Sequence, residues 1–431
     1  MIKTLKFGGT SVGSPKNMRG VAQIISNEQA TLTVLSAMSG TTDALVAICE
    51  AAAKGDEKTI AQKLKMLLGK YNDCVYGLLG DPYPALERVK ESMDIIRTQA
   101  DNFEKVTSPK VIVSQGELLT TAIFTMFLLQ EGVKAELLHA PDFMHTDEQG
   151  KVVLYHLDAL KERIEPGVHY VTQGFICTNA QGQIDNLGRG GSDYSAALMG
   201  VAIGAAEVQI WTDIDGMHNG DPRIVEGTRP IRRMSFDEAA ELAYFGAKIL
   251  HPSTIMPCKE AGVDVRLKNS MAPDAPGTLI SGADEAAMNY HAVAAKDGIT
   301  LIRITSARML MAYGFLRRVF EVFERQRTPI DMITTSEVAV SLTIDNTTNL
   351  DKIVRDLSDF GTIEVEQDNS IVCVVGRMDY DHAGLASRIF KSVENVPIKM
   401  ISYGASHRSL SLLISTVNKK DALQSLNNQL F

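Results

Sequence analysis

Lys6 stands between Leu5 and Phe7 and two residues ahead of Gly8-Gly9. A cation fixed at the end of an apolar run, with unshielded backbone N–H donors beside it, suits a phosphoryl group whose charge must be stabilised in transfer. A surface lysine at a strand edge has the same spacing, but the apolar flanks argue against casual placement. Arg189, in LGRGGSD (Leu187–Asp193), can grip a carboxylate with two parallel bonds, and Glu117, in SQGE (Ser114–Glu117), can receive an ammonium. One group of each sign is what a small zwitterion requires; the two could equally pair with each other. Asp213, Asp221 and Arg223 in TDIDGMHNGDPR could hold a nucleotide or simply cap turns.

Two familiar phosphate signatures fail. Gly8 to Gly13 has the glycine spacing of a P-loop, but Ser14-Pro15 follows where Lys-Ser/Thr is needed. Gly188-Arg189-Gly190-Gly191 is not a dinucleotide fingerprint, because Asp193 occupies the place of the third glycine. What that segment does offer is N–H groups at a helix start, which favour an anion.

The elements that must position these residues alternate. Strand-like runs are Ile2–Phe7, Thr31–Leu35, Val111–Val113, Ala135–His139, Tyr170–Phe175, Val208–Thr212 and Val263–Leu267. Between them lie helical patterns over Lys16–Ser26, Thr42–Ala53, Leu118–Gln130, Ser192–Ile203 and Phe236–Phe245, the first opened by Ser14-Pro15. Such alternation predicts a largely parallel sheet covered on both faces. The loops KFGGTSVG (Lys6–Gly13), SAMSGTTD (Ser36–Asp43), SQGE and WTDIDG (Trp211–Gly216) follow strands directly, so they should converge at the carboxyl edge of the sheet. Asp56–Lys105 reads as two long amphipathic helices outside it.

After about residue 290 the texture changes. GFLRRVFEVFERQRTPIDMITTSEVAVSLTID from Gly314 matches AGLASRIFKSVENVPIKMISYGASHRSLSLLIST from Ala383 in pattern: glycine, apolar helix, proline turn, strand, polar loop, alternating strand. A unit of about seventy residues seen twice means two small βαββ-type modules.

Composition sets limits on function. The 431 residues carry a formal charge of −9 and no Lys/Arg-rich run, which opposes a nucleic-acid groove. Five scattered cysteines without a C-x-x-C pair suit a reducing compartment, and nine histidines include no H-x-x-x-H or H-E-x-x-H, so no protein-built metal site is expected. The N-terminus lacks the apolar core of a signal peptide, and apolar stretches such as Thr120–Leu129 stop short of a membrane span. The expectation is a soluble cytoplasmic protein.

Taken together, KFGGTS, GRGGSD, WTD…DPR, GAKILHP and ITTSEV (Ile333–Val338) closely resemble the aspartate kinases of the amino-acid kinase family, over essentially the whole chain. The resemblance implies an α/β/α sandwich with a mostly parallel sheet over residues 1–285, followed by two ferredoxin-like βαββαβ ACT modules. Module one would be an insert over 306–368; module two would be discontinuous, 290–305 with 369–431. It implies ATP and nucleotide-bound Mg²⁺ as cofactors and L-aspartate as acceptor. Lys6, Asp193 and Lys248 would be catalytic, and Thr42, Glu117, Arg189 and Ser192 would bind aspartate. Gly8, Gly9, Ser11, Ser36, Thr212, Asp213, His218, Asp221 and Arg223, with Lys6 and Lys248, would face ATP. Met309, Gly314, Phe315, Leu316, Asp331, Thr335, Ser336 and Glu337 would take an amino-acid effector, lysine or threonine or both. A homodimer or a dimer of dimers follows from paired ACT modules, and the absence of a homoserine dehydrogenase region after them implies a monofunctional kinase. Neither nucleic acid nor membrane is an expected partner.

Two departures from the family pattern stand out: His218 replaces a tyrosine common beside the nucleotide, and Met311-Ala312 replace the His-Ser of many lysine-sensitive members. Two rival readings remain at this point: a related kinase acting on another acid, and a non-catalytic amino-acid sensor. Retention of Lys6, Arg189, Asp193 and Lys248 opposes the sensor.

Overall fold

The computed structural model describes residues 2–103, 109–188, 190–245, 250, 252–282, 290–309, 313–379 and 383–431. The chain folds as two compact units, Met1–Met217 with Leu250–Asp284, and His218–Ile249 with Glu285–Phe431.

The first unit opens with β1 (Lys3–Phe7), α1 (Pro15–Ser26), β2 (Thr31–Leu35) and α2 (Thr41–Ala52). Ser14 caps α1 by accepting from the Asn17 N–H, with Pro15 at the first helical position, as its sequence predicts. The excursion is α3 (Glu57–Leu78) and α4 (Tyr83–Asp101), followed by α5 (Lys110–Gln130) and β3 (Ala135–Leu138). Next come α6 (Asp158–Arg163), β4 (His169–Gln173), a hairpin of β5 (Ile176–Thr178) and β6 (Ile184–Asn186), α7 (Gly191–Ala202) and β7 (Val208–Thr212). In the second unit lie β8 (Arg233–Ser235) and α8 (Phe236–Tyr244); the first unit then closes with α9 (Met256–Ala261), β9 (Val265–Asn269) and β10 (Thr278–Ser281).

Strand order is β3-β4-β2-β1-β7-β9-β10, parallel from β3 through β9, with β10 antiparallel to β9. Alternation along β1 sends Leu5 and Phe7 into the core shared with α1 to α5, and Thr4 and Lys6 to the other face, where α7 packs. Lys6 is thereby aimed beneath the start of α7.

One expectation fails instructively. Val111–Val113 is not a strand, and SQGE is not a loop at a strand end; both lie inside the single helix α5. The helix is buried on nearly every side, so its sequence shows no 3.6-residue polarity, and three consecutive β-branched or apolar residues mimic a buried strand. Buried hydroxyls are satisfied by bonding back one turn: Thr120 to the Gly116 carbonyl, Thr121 to Glu117 and Thr125 to Thr121. By length and composition α5 could also cross a membrane, contrary to the reading of its apolar stretch as too short, but 83% of its apolar window is buried inside the protein.

The second unit contains an antiparallel sheet ordered β12-β13-β11-β14-β16-β15. It comprises β11 (Tyr290–Thr305), α10 (Phe315–Arg325), β12 (Ile333–Thr335), β13 (Ala339–Ile344), α11 (Leu350–Leu357), β14 (Thr362–Gly376), α12 (Leu385–Ser392), β15 (Ile398–Tyr403), β16 (Ser409–Ser415) and α13 (Lys419–Leu430). β11 pairs with β14 along most of its length, with β-bulge shifts around Ile299. Its second half pairs with β13 of the first repeat; β16 of the second repeat pairs with β14 from Asn369 to Val375. Each repeat has its own core, one around Phe315, Val319, Phe323 and Leu342, the other around Val374, Ile389, Leu412 and Leu426.

Candidate functional site

In the parallel register Phe7 pairs with Leu35 and with Trp211, and Leu35 with Gln173. Four strand ends therefore lie in one row, and Gly8, Ser36 and Gly174 after three of them are delivered beside Thr212, the last residue of β7. The ladder continues past the strands: Ser36 N donates to the Phe7 carbonyl (3.2 Å), Gly8 N to Trp211 (3.3 Å) and Gly174 N to Leu35 (2.9 Å). Ser39 N donates to the Gly9 carbonyl (3.1 Å), strapping the second loop to the first. Position 9 must be glycine for this approach, because a Cβ there would lie 2.7 Å from the Ala37 carbonyl oxygen.

Lys6 Nζ lies 2.6 Å from Asp193 Oδ1, both side chains nearly nine-tenths buried. Asp193 sits in the first turn of α7, where the helix dipole favours its charge, and Gly190, left-handed at φ 74°, turns the chain into that helix. Ser36 Oγ donates to Ser192 Oγ (3.0 Å), bringing the second loop and the α7 start together. Ser11 is buried, its hydroxyl 2.7 Å from that of Ser270, which donates in turn to the Thr212 carbonyl. Thr42 is half-buried in the first turn of α2.

Glu117 enters from α5 and is 3% exposed. Its Oε1 accepts from Ala37 N (3.2 Å), while Oε2 is buried without a hydrogen-bond partner among the described residues. Burial pushes its carboxyl up to about 7, against the pull of the Ala37 N–H. A buried carboxylate with a free lone-pair edge is well made to receive an ammonium group.

Of the remaining nucleotide-side candidates, Thr212 ends β7 and donates to Asp213 Oδ1 (3.0 Å). His218, Asp221 and Arg223 belong to the second unit. Arg223 forms a two-pronged pair with Asp221 (2.9 and 2.7 Å), and Asp221 also accepts from the Arg223 N–H, holding a turn and holding its own carboxyl below the usual range. His218 Nδ1 is 3.5 Å from Thr228 Oγ1. Arg189 and Lys248 lie outside the described residues, as do Met311 and Ala312.

Among the effector candidates, Phe315 is buried in the first-repeat core and meets Phe360 edge-on at 6.1 Å, with Met309 packed against the same core. Gly314 is the left-handed cap of α10, and Leu316 is 37% exposed. Thr335 ends β12, and Ser336 closes the turn carrying Glu337 by bonding with Ala339. Asp331 is already engaged: Lys296 Nζ (2.8 Å) and the Tyr244 hydroxyl (2.7 Å) both bond Oδ1.

Sequence reasoning missed two residues. Phe175, just past β4, holds φ 70°, a left-handed conformation rare for a bulky side chain, and its N–H donates to Ser195 Oγ. Nothing in the one-dimensional pattern marks it. Tyr71, in the excursion, is wholly buried against α2 and α5; a lone polar aromatic on an apolar helix face was its only signal.

The amino acid kinase family model matches residues 1–269, and an ACT domain model matches 372–430. The lysine-sensitive aspartokinase 3 of Escherichia coli (strain K12) is 34% identical over 99% of this chain and 98% of its own length. The chloroplastic aspartokinase 1 of Arabidopsis thaliana is 33% identical over 99% of this chain and 80% of its own. Among solved structures, E. coli aspartokinase III in complex with aspartate and ADP (R-state) superposes with a TM-score of 0.86 at 33% identity, covering all of both chains. The same enzyme in complex with lysine and aspartate (T-state) gives 0.83 at 34% identity over 100% of this chain and 99% of that one.

Proposed function

The chain belongs to the amino acid kinase family, and from that premise we infer that it is an aspartate kinase, converting ATP and L-aspartate to ADP and 4-phospho-L-aspartate, the first step towards lysine, threonine and methionine. The observation that carries this reading is the meeting of Lys6–Asp193 with buried, half-satisfied Glu117 around one row of strand ends. The full-length likeness to aspartokinases supports it.

The acceptor carboxylate is already ionised at neutral pH and needs no strong base. The protein's task is to position two anionic reactants and neutralise the charge between them. Lys6, held by Asp193, would meet the transferring phosphoryl group, with Gly8, Gly9 and Ser11 forming the loop around it. Glu117 would take the ammonium of aspartate and Arg189 its α-carboxylate, with Thr42 and Ser192 beside them. Ser36, Thr212, Asp213, His218, Asp221, Arg223 and Lys248 belong to the nucleotide side of the proposal. Magnesium bound to the phosphates would supply further positive charge. Asp193 is paired with Lys6, and among the described residues no cluster of three His, Cys, Asp or Glu side chains converges, a donor set suited to an ion that arrives with the nucleotide.

The two repeats are proposed as ACT modules that inhibit the kinase on binding lysine, threonine or both, in a homodimer or a dimer of dimers; the five cysteines, none in a disulfide, suit a reducing, cytoplasmic setting. The test is ATP-dependent acyl phosphate formation trapped with hydroxylamine, with and without lysine and threonine. Hydroxamate specific to aspartate is the expected result. Turnover with another acid, or none with any acid, would overturn the assignment.

A further inference from the structure

We propose that Lys70 and Tyr71, consecutive residues of α3, are positioning residues for the acceptor side of the site, clamping the second loop and α5 together so that Thr42 and Glu117 keep one spacing toward aspartate. The proposal rests on the aspartate kinase reading above. α3 contributes no strand and none of the candidate ligands, yet it packs directly on α2.

The Tyr71 hydroxyl lies 3.3 Å from the Gly116 carbonyl oxygen, 3.4 Å from Thr41 Oγ1 and 3.5 Å from Thr120 Oγ1. Gly116 adjoins Glu117, Thr41 adjoins Thr42, and Thr120 accepts the N–H of Met38 in the second loop. One phenol thus touches both segments that carry the acceptor-side candidates. Its ring belongs to an apolar core that phenylalanine would fill equally well, so packing alone does not call for the hydroxyl. Burial pushes the phenol up to about 12, and it remains protonated, able to donate, at any working pH.

Lys70 reaches the same loop from the next position on the helix. Its Nζ donates to the Ser39 carbonyl and lies 3.4 Å from Thr41 Oγ1, and no carboxylate pairs with it among the described residues. Ser39 in turn donates to the Gly9 carbonyl, so the clamp extends to the glycine loop after Lys6. The contact between α5 and the second loop is itself tight: a Cβ at Gly116 would lie 2.8 Å from that of Ala37. A small shift of either segment would therefore break the Ala37–Glu117 bond.

The experiment compares the full-length chain with Tyr71→Phe, Lys70→Met and Lys70→Arg in the hydroxamate assay, varying aspartate and ATP separately, with a thermal melt of each. The expected result is a KM for aspartate raised about five- to ten-fold in Tyr71→Phe and Lys70→Met, as loss of one buried hydrogen bond allows, with KM for ATP within about two-fold and Lys70→Arg restoring most of the loss. A purely structural role would lower the melting temperature and the active fraction, leaving both KM values in place; that pattern overturns the proposal. Wild-type chain that makes no hydroxamate from aspartate would overturn the kinase reading and this proposal with it.

Discussion

Glu117 keeps one oxygen on the Ala37 N–H and the other without a hydrogen-bond partner among the described residues, and burial pushes its carboxyl up to about 7. Binding an ammonium needs the ionised form, so KM for aspartate should rise as pH falls from 8 to 6, with a midpoint near that value in initial-rate assays. The stability consequence has the opposite sense. The unfolded chain loses this proton near the ordinary 4.5, before the folded chain does, so this group's contribution to stability falls as pH rises from 4.5 to about 7. Above that range the buried charge costs on the order of 3 kcal/mol. Glu117→Gln should therefore melt several degrees higher than wild type at pH 8 while losing aspartate affinity; a lower melting temperature would contradict the burial argument. Lys6→Ala should lose roughly two or more orders of magnitude in kcat, the scale of one charge-stabilising group, and melt lower than wild type because Asp193 is left without its partner.

At the scale of elements, α8 and the first repeat meet at a buried charge. Lys296 of β11 pairs with Asp331 (2.8 Å) and Asp345 (2.9 Å) and lies over the Tyr244 ring at 4.5 Å. Burial alone would lower the Lys296 ammonium, but the bonds to Asp331 and Asp345 outweigh it and hold it above the usual lysine range. Lys296→Met would leave Asp331, 3% exposed, as an unpaired buried carboxylate, costing on the order of 3 kcal/mol and lowering the melting temperature. Tyr244→Phe deletes only the hydroxyl on Asp331, at the last residue of α8, which precedes GAKILHP in the sequence. If Asp331 reads the effector, this variant should shift the half-inhibiting concentration of lysine or threonine several-fold with kcat unchanged in their absence. Unchanged inhibition curves would separate Tyr244 from regulation.

At the scale of the whole molecule, the regulatory repeats carry the oligomer prediction. α10 buries Phe315, Val319, Val322 and Phe323 and leaves Leu316 and Phe320 more than a third exposed beside a fully exposed Tyr313. Sedimentation should return the mass of a dimer or a tetramer, and Phe320→Asp should shift it toward the monomer. A monomeric wild type would remove the basis for effector sites shared between subunits.

Much of this was present in the sequence because it is local. Alternating β-branched runs, the Ser14-Pro15 start, the glycine loops and the seventy-residue repeat each follow from neighbouring residues, and β2 and β7 match their predicted bounds. Tertiary structure decided what depends on distant partners. α5 is a helix because packing on nearly all sides erases the polarity that would reveal one, and burial there, more than residue type, lifts Glu117 toward neutrality. The contact of Lys6 with Asp193, the clamp of Lys70 and Tyr71 on the second loop, and the engagement of Asp331 by Lys296 join residues from 29 to 187 positions apart. Only the register of the sheets and the packing of helices on them brings such pairs within bonding distance.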